Sequence, residues 1–168
     1  MQTKHQIQSL LASEGILPNK RLGQHFLIDL NLMRLLIEAA QIDSDDVVLE
    51  VGCGTGSLTQ GLAEKAGAVI AVEIDENLVR IAEGQLAEKK NVEIINIDIL
   101  KNKNTISPVV GDAIASARKR CGGRFLLVAN LPYNAASAVM MNLIDGPLIA
   151  DAMYVTVQKE IAERMTAC

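Results

Sequence analysis

Aromatic side chains are almost missing from these 168 residues: there is no tryptophan, and Phe26, Phe125, Tyr133 and Tyr154 are the whole set. Each of those four positions therefore carries unusual weight. Cysteine is equally sparse. Cys53, Cys121 and Cys168 show neither metal-ligand spacing nor the even count of a disulfide framework, which suits a reducing cytosol. Cys53 reads as a small residue accommodated in a turn rather than as a reactive thiol. No run approaches the ~18 apolar residues of a membrane span, and the opening MQTKHQIQSLL lacks the apolar core of a secretory signal, so a soluble, cytoplasmic protein without a membrane partner is expected. Positive charge is also short. Sixteen basic residues against twenty acidic ones leave a net charge of −4, which argues against a nucleic-acid partner for the chain as a whole. No internal repeat or low-complexity tract interrupts the sequence. What remains is a 49% apolar, 21% charged chain of single-domain length, able to bury roughly 70% of its unfolded surface.

The most informative stretch is Val47 to Thr59, VVLEVGCGTGSLT. A short apolar run rich in β-branched residues suits a strand buried on both faces. Gly52, Gly54 and Gly56 follow at every second position, and a helical pattern (Leu58, Leu62, Ala63, Ala66) begins at once. Three glycines in five residues allow a sharp turn against which a ligand can lie, and the helix behind it aims unpaired N–H groups at that ligand. The spacing is GxGxG, with Ser57 where the dinucleotide fingerprint has its third glycine. With Glu50 in front, the pattern E-x-G-x-G-x-G resembles the first motif of Rossmann-like S-adenosylmethionine-dependent methyltransferases. An NAD-type site and a ligand-free tight turn are the alternatives at this point.

The rest of the chain patterns as helices and strands in alternation. Residues 3 to 15 suit a short helix, with Thr3 as its cap, and Asp29 caps a second helix running to about Gln41 with Leu32, Leu36, Ile37 and Ala40 inward. Asp43 to Asp46 read as a polar loop. Ala68–Glu73, Val92–Ile97, Arg124–Asn130 and Asp151–Val157 are the further strands expected, and Asp75 caps a helix to about Lys90. Residues 101–123 read as a surface helix between Pro108 and Arg120 with loose flanks. Ala135 to Ile144 form the last helix before Gly146 and Pro147. The fold class is thus α/β, with a mostly parallel sheet and right-handed crossovers.

In such sheets ligands lie at the carboxyl ends of the strands. Glu73 ends the second strand, 21 residues after Gly52, where a carboxylate accepts hydrogen bonds from the ribose hydroxyls of a nucleoside. Asp98, in NIDIL, is placed to accept from an adenine amine, with Ile74 and Ile99 against the ring. Asn130-Leu131-Pro132-Tyr133 follows the fourth strand and is the most specific signal. The exocyclic amine of adenine is a weak nucleophile because its lone pair is delocalised. An acceptor pair, the Asn130 side-chain oxygen with the Leu131 or Pro132 carbonyl, binds both amine hydrogens and turns the nitrogen toward tetrahedral geometry. Tyr133 offers a face for a flipped-out base. Arg118, Lys119, Arg120 and Arg124 form a small basic cluster, either a contact for RNA phosphates or a solvated helix end.

With these residues in view, the chain from about Lys20 onward resembles the ribosomal RNA adenine dimethyltransferases. The resemblance is carried by GQHFL (Gly23 to Leu27), EVGCGTG, VEID (Val72 to Asp75), NIDIL, NLPYN (Asn130 to Asn134) and VQKEIAERM (Val157 to Met165). It implies a Rossmann-like methyltransferase domain over residues 29–168, preceded over residues 1–28 by a helix and a cofactor-lid segment. It implies S-adenosylmethionine as cofactor, no metal, and ribosomal RNA or the small ribosomal subunit as partner. His25 and Leu27 are implied cofactor contacts, together with Gly52, Gly54, Glu73, Ile74, Asp98 and Asn130. Large-subunit RNA methylation, as in antibiotic resistance, and a non-catalytic RNA-binding relative are the alternatives. The sequence departs from the family at Asn134-Ala135-Ala136-Ser137 and over the longer segment 101–123. The family also continues through the last strands of the sheet and a basic helical domain, so this chain is expected to be truncated before both. It is then expected to hold cofactor yet methylate RNA poorly, and to self-associate through its exposed sheet edge.

Overall fold

Every strand of the central sheet except those at its edges is a near-continuous apolar run, because each is covered on both faces. The computed structural model describes residues 1–2, 4–13, 29–102, 105–157, 160 and 163. In chain order these form α1 (Lys4–Ser13), α2 (Leu30–Ala40), β1 (Val47–Val51), α3 (Ser57–Ala63), β2 (Ala68–Glu73), α4 (Glu76–Leu86), β3 (Val92–Asn96), β4 (Leu100–Asn102), β5 (Thr105–Ile106), α5 (Pro108–Cys121), β6 (Phe125–Asn130), α6 (Ala136–Asp145) and β7 (Ala152–Thr156). Five strands make one parallel sheet in the order β3-β2-β1-β6-β7. The chain winds outward from β1 in both directions, so the order reverses between β1 and β6, and a crevice opens at their carboxyl ends.

Alternation along the strands divides the core in two. Val47, Leu49 and Val51 of β1 with Phe125, Leu127 and Ala129 of β6 pack under α5 and α6. Val48, Leu126 and Val128 face the other way, against Met33, Leu36 and Ile37 of α2 and Leu58 and Leu62 of α3. The buried positions 33, 36, 37 and 40 of α2 follow the i, i+3, i+4, i+7 stripe. Leu32, expected inward, lies one position off that stripe and is exposed. Asp29 caps α2 as expected, its Oδ1 accepting from Asn31 N at 2.8 Å and Leu32 N at 3.3 Å. Asp75 caps α4 through Asn77 N, although that helix stops at Leu86 rather than near Lys90.

Residues 101–123 differ from expectation in one respect. The flank before the helix contains an antiparallel pair, β4 with β5, too short and too polar to be legible as strands. The helix itself is the surface helix expected, packed by a single stripe: Val110, Ile114 and Ala117 of α5 are fully buried in the larger core, while most of its other residues are exposed. The polar loop Asp43 to Asp46 also hides a structural carboxylate. Asp46 is 2% exposed, accepts from Arg124 Nη2 (2.6 Å), Arg124 Nε (3.2 Å) and the backbone N–H groups of Asp43 and Arg124, and so ties the floor of β1 to β6. At the other end of the sheet α1 lays Ile7 and Leu11 on Leu78 of α4. Gln2 reaches into the turn before α3, donating from its N–H to Ser57 Oγ at 2.8 Å and accepting from Thr55 Oγ1 at 2.7 Å. Among the described residues no helix is long and apolar enough to cross a membrane.

Candidate active site at the carboxyl edge of the sheet

The glycine turn after β1 is held open by its backbone. Gly52, Gly54 and Gly56 all have positive φ, a region that a side chain disfavours. At Gly52 (φ 80°) space is also limiting: a Cβ would stand 3.1 Å from Pro132 Cγ, in the turn after β6. The two signature turns therefore pack directly on each other across the switch point. Gly52→Ala is expected to cost about 1–2 kcal/mol of stability through the unfavourable φ and the displaced proline, read as a lower denaturant midpoint at unchanged m-value.

Between these turns lies a cavity of about 220 Å³. Its wall brings together Gly52, Gly54, Glu73, Ile74, Asp98, Asn130, Leu131 and Pro132, with Glu50, Ile99 and Ile7 of α1 also contributing. Tyr133 is half-buried and is not on the cavity wall, so the base-stacking face expected of it is not presented there. His25 and Leu27 lie outside the described residues, as does Phe26. The basic cluster stands at the opposite edge. Arg118, Lys119 and Arg120 occupy the last turn of α5 before β6 begins, Arg124 holds Asp46, and Arg118 lies 3.8 Å from Asp151. It is a helix end, remote from the cavity.

Glu73 is 5% exposed, and its carboxylate is already a structural staple. Oε1 accepts from the N–H groups of Ile74 and Asp75, both at 3.0 Å, and Oε2 from Gly54 N–H at 2.9 Å. A carboxylate has about four acceptor positions. One therefore remains, on Oε2, which is enough for one hydroxyl of a ribose and not for both. Burial raises the Glu73 pKa, and the three N–H groups partly offset it. Asp98 is exposed, with Oδ1 accepting from Leu100 N–H at 2.9 Å. In the acceptor turn, the Pro132 carbonyl takes the N–H groups of Ala135 and Ala136, both at 3.0 Å. Of the two backbone carbonyls considered, that of Pro132 is thus engaged within its own turn.

Two participants had no local sequence signal. Thr156, at the end of β7, is in register with Asn130 and donates its hydroxyl to Asn130 Oδ1 at 2.6 Å, while its carbonyl accepts from Leu131 N–H at 3.2 Å. It thus fixes the acceptor turn by side chain and backbone together. Glu50, visible in the sequence only as part of a motif, is 2% exposed on the cavity wall, and its Oε2 has no hydrogen-bond partner. Its pKa is raised to about 8, chiefly by burial and in part by the Glu73 charge, with the nearby Thr59 hydroxyl opposing the shift without making a well-formed hydrogen bond. Burial and the same two carboxylates push the Cys53 thiol well up, which makes it inert.

These features fit a cationic nucleoside: a backbone cradle that a Cβ would fill, an acceptor left on Glu73, apolar Ile74 and Ile99, and an orphaned buried carboxylate. Among the described residues no group of three or more His, Cys, Asp or Glu is arranged to hold a metal.

Comparison with known proteins agrees with this geometry. The chain is 40% identical over 149 residues to the ribosomal RNA small subunit methyltransferase A of Alkaliphilus metalliredigens, covering 89% of this chain and 49% of that protein. A dimethyladenosine transferase from Plasmodium falciparum superposes with a TM-score of 0.67 at 33% identity, over 86% of this chain and 47% of that one. The 23S rRNA methyltransferase ErmE gives 0.65 at 30% identity, over 84% and 51%. The chain thus spans about half the length of the curated relatives it matches. A family model, that of the ribosomal RNA adenine dimethylases, matches residues 17–168, and the chain belongs to that family.

Proposed function

We propose that this chain is the catalytic half of an adenine dimethyltransferase, which methylates the exocyclic amines of two adjacent adenines in small-subunit ribosomal RNA from S-adenosylmethionine, in the cytoplasm. The observation that carries this reading is the direct packing of the glycine turn on the acceptor turn, Gly52 against Pro132, at the switch point of the sheet. Residues 29–168 form the methyltransferase domain on this reading. Residues 1–28 are assigned to an N-terminal helix and a cofactor-lid segment, and Ile7 of that helix lies on the cavity wall. Self-association is assigned to the edge of β7, which has no further strand beyond it among the described residues.

When bound, S-adenosylmethionine supplies a methyl group on a positively charged sulfur, so the leaving group is already activated. The protein's contribution is then orientation and electrostatics. Glu73 Oε2 receives a ribose hydroxyl, Asp98 an adenine amine, and Ile74 with Ile99 the ring. His25 and Leu27 are assigned to the methionine end through the family motif alone. For the substrate, Asn130 Oδ1 and the Leu131 carbonyl accept the two amine hydrogens and leave the nitrogen lone pair facing the cavity. Tyr133 is kept as a stacking face for the flipped base, at the rim rather than on the wall.

Glu73→Ala is expected to weaken S-adenosylmethionine binding by roughly 1.5–3 kcal/mol, the scale of a hydrogen bond to a charged group. Calorimetric titration reads this directly, and binding of NAD in place of S-adenosylmethionine would overturn the assignment. A large-subunit target is the second reading, favoured by the nearly equal superposition on ErmE. Labelled methyl transfer into separated small- and large-subunit particles distinguishes the two.

A further inference from the structure

The cavity wall carries three carboxylates, Glu50, Glu73 and Asp98, and no Lys, Arg or His among the described residues. Glu73 is neutralised locally by three N–H groups and Asp98 is exposed. Glu50 has neither compensation. It projects from the centre of the sheet toward Thr59 and the base of the glycine turn, with Oε2 unpaired, and the other groups that act on it are the Glu73 carboxylate on β2 and the neutral Cys53 thiol. On the α2 side its surroundings are apolar, since Met33 is buried while Arg34 and Glu38 are exposed. A carboxylate so enclosed carries a large desolvation penalty when ionised, and only a positive charge at close range offsets it.

We propose that Glu50 is uncharged in the empty protein and gives up its proton to solvent when a cationic ligand enters the cavity, so that the buried carboxylate becomes the ligand's countercharge. This rests on the reading of the cavity as a site for a sulfonium-bearing nucleoside. Glu50 acts through its field and not by touching the ligand, since the unpaired oxygen is itself buried; it is a positioning residue. Its ordinary ionisation at pH 7 is suppressed in the empty state, in line with a pKa of about 8, and restored in the complex. Binding and proton release are therefore linked in the same sense as any titration coupled to an equilibrium.

The test is calorimetric titration of the chain with S-adenosylmethionine at pH 7 in phosphate and in Tris, whose ionisation enthalpies differ. The slope of observed enthalpy against ionisation enthalpy counts protons. The parent is expected to release close to one proton more than Glu50→Gln. Its affinity rises up to tenfold more from pH 6 to pH 7 than that of the variant. Protons from the ligand's own amine, which titrates near 7.7–8.0, persist in both proteins and cancel in the difference. Should the variant fail to fold, the parent's proton count at pH 7 with S-adenosylmethionine is compared with that for S-adenosylhomocysteine, which keeps the amine and lacks the sulfonium charge: a larger release with the cation supports the coupling, and an equal or smaller one sinks it. Equal proton counts in parent and variant overturn the inference while leaving the cofactor reading intact. Absence of S-adenosylmethionine binding by the parent overturns both.

Discussion

Glu50→Gln is expected to make the unliganded protein more stable than the parent above neutrality, with the gap widening as pH rises. The sign follows from where the proton is held. In the unfolded chain Glu50 titrates near its ordinary value of 4.5, whereas in the folded protein it titrates at about 8. Below pH 4.5 both states are protonated and the residue contributes no pH dependence. Between pH 4.5 and 8 the folded state holds a proton that the unfolded state has lost, so each pH unit costs about 1.4 kcal/mol of stability. Above pH 8 the carboxylate is ionised in both states and the loss, several kcal/mol, is complete. Glutamine keeps the shape and cannot ionise, so its stability lacks this slope. Thermal unfolding from pH 5 to pH 9 measures it. Parallel curves for the two proteins would show that Glu50 is ionised and compensated in the fold.

The same residue marks the limit of what the sequence discloses. The glycine spacing, the apolar run before it and Glu73 at the next strand end all depend on local pattern, and each lies where the pattern places it. The cap at Asp29 and the alternating α/β order are local in the same sense. Energetic meaning is another matter. Whether Glu50 is paired depends on what α3 and β2 set beside it, and Asp46 looked like any loop carboxylate until Arg124, 78 residues away, closed on it. Thr156 was invisible for the same reason, since its role comes from strand register across 26 residues. The β4–β5 pair escaped because two short polar segments carry no periodicity. Tyr133 marks the same limit from the other side. Its type and its neighbours suggest a stacking face, yet the turn carries Pro132 and Asn134 to the cavity wall and leaves the tyrosine off it.

Asn130→Ala is expected to lower methyl transfer on the order of 10²-fold or more, in a version extended to the length of the relatives, while changing cofactor affinity only a few-fold. The scale is that of removing one preorganised hydrogen-bonding group, or of misplacing a reacting atom by about 1 Å. The asymmetry between the two effects follows from the geometry. On the proposed assignment the cofactor also meets Glu73, Asp98, Ile74 and the glycine turn, whereas the adenine amine is assigned to Oδ1 of Asn130 and the Leu131 carbonyl. Thr156 supplies the graded control. Its hydroxyl donates to Oδ1 and holds the amide in one orientation. Thr156→Val removes that hydroxyl while leaving Asn130 in place, so it should slow transfer by less than Asn130→Ala, and Thr156→Ser should restore it. Labelled methyl transfer into small-subunit particles at saturating cofactor gives the first quantity, and calorimetry gives the second. Equal losses in both for Asn130→Ala would make the asparagine a cofactor ligand alone. A Thr156→Val variant as fast as the parent would mean that the β6 turn holds its amide without help from β7.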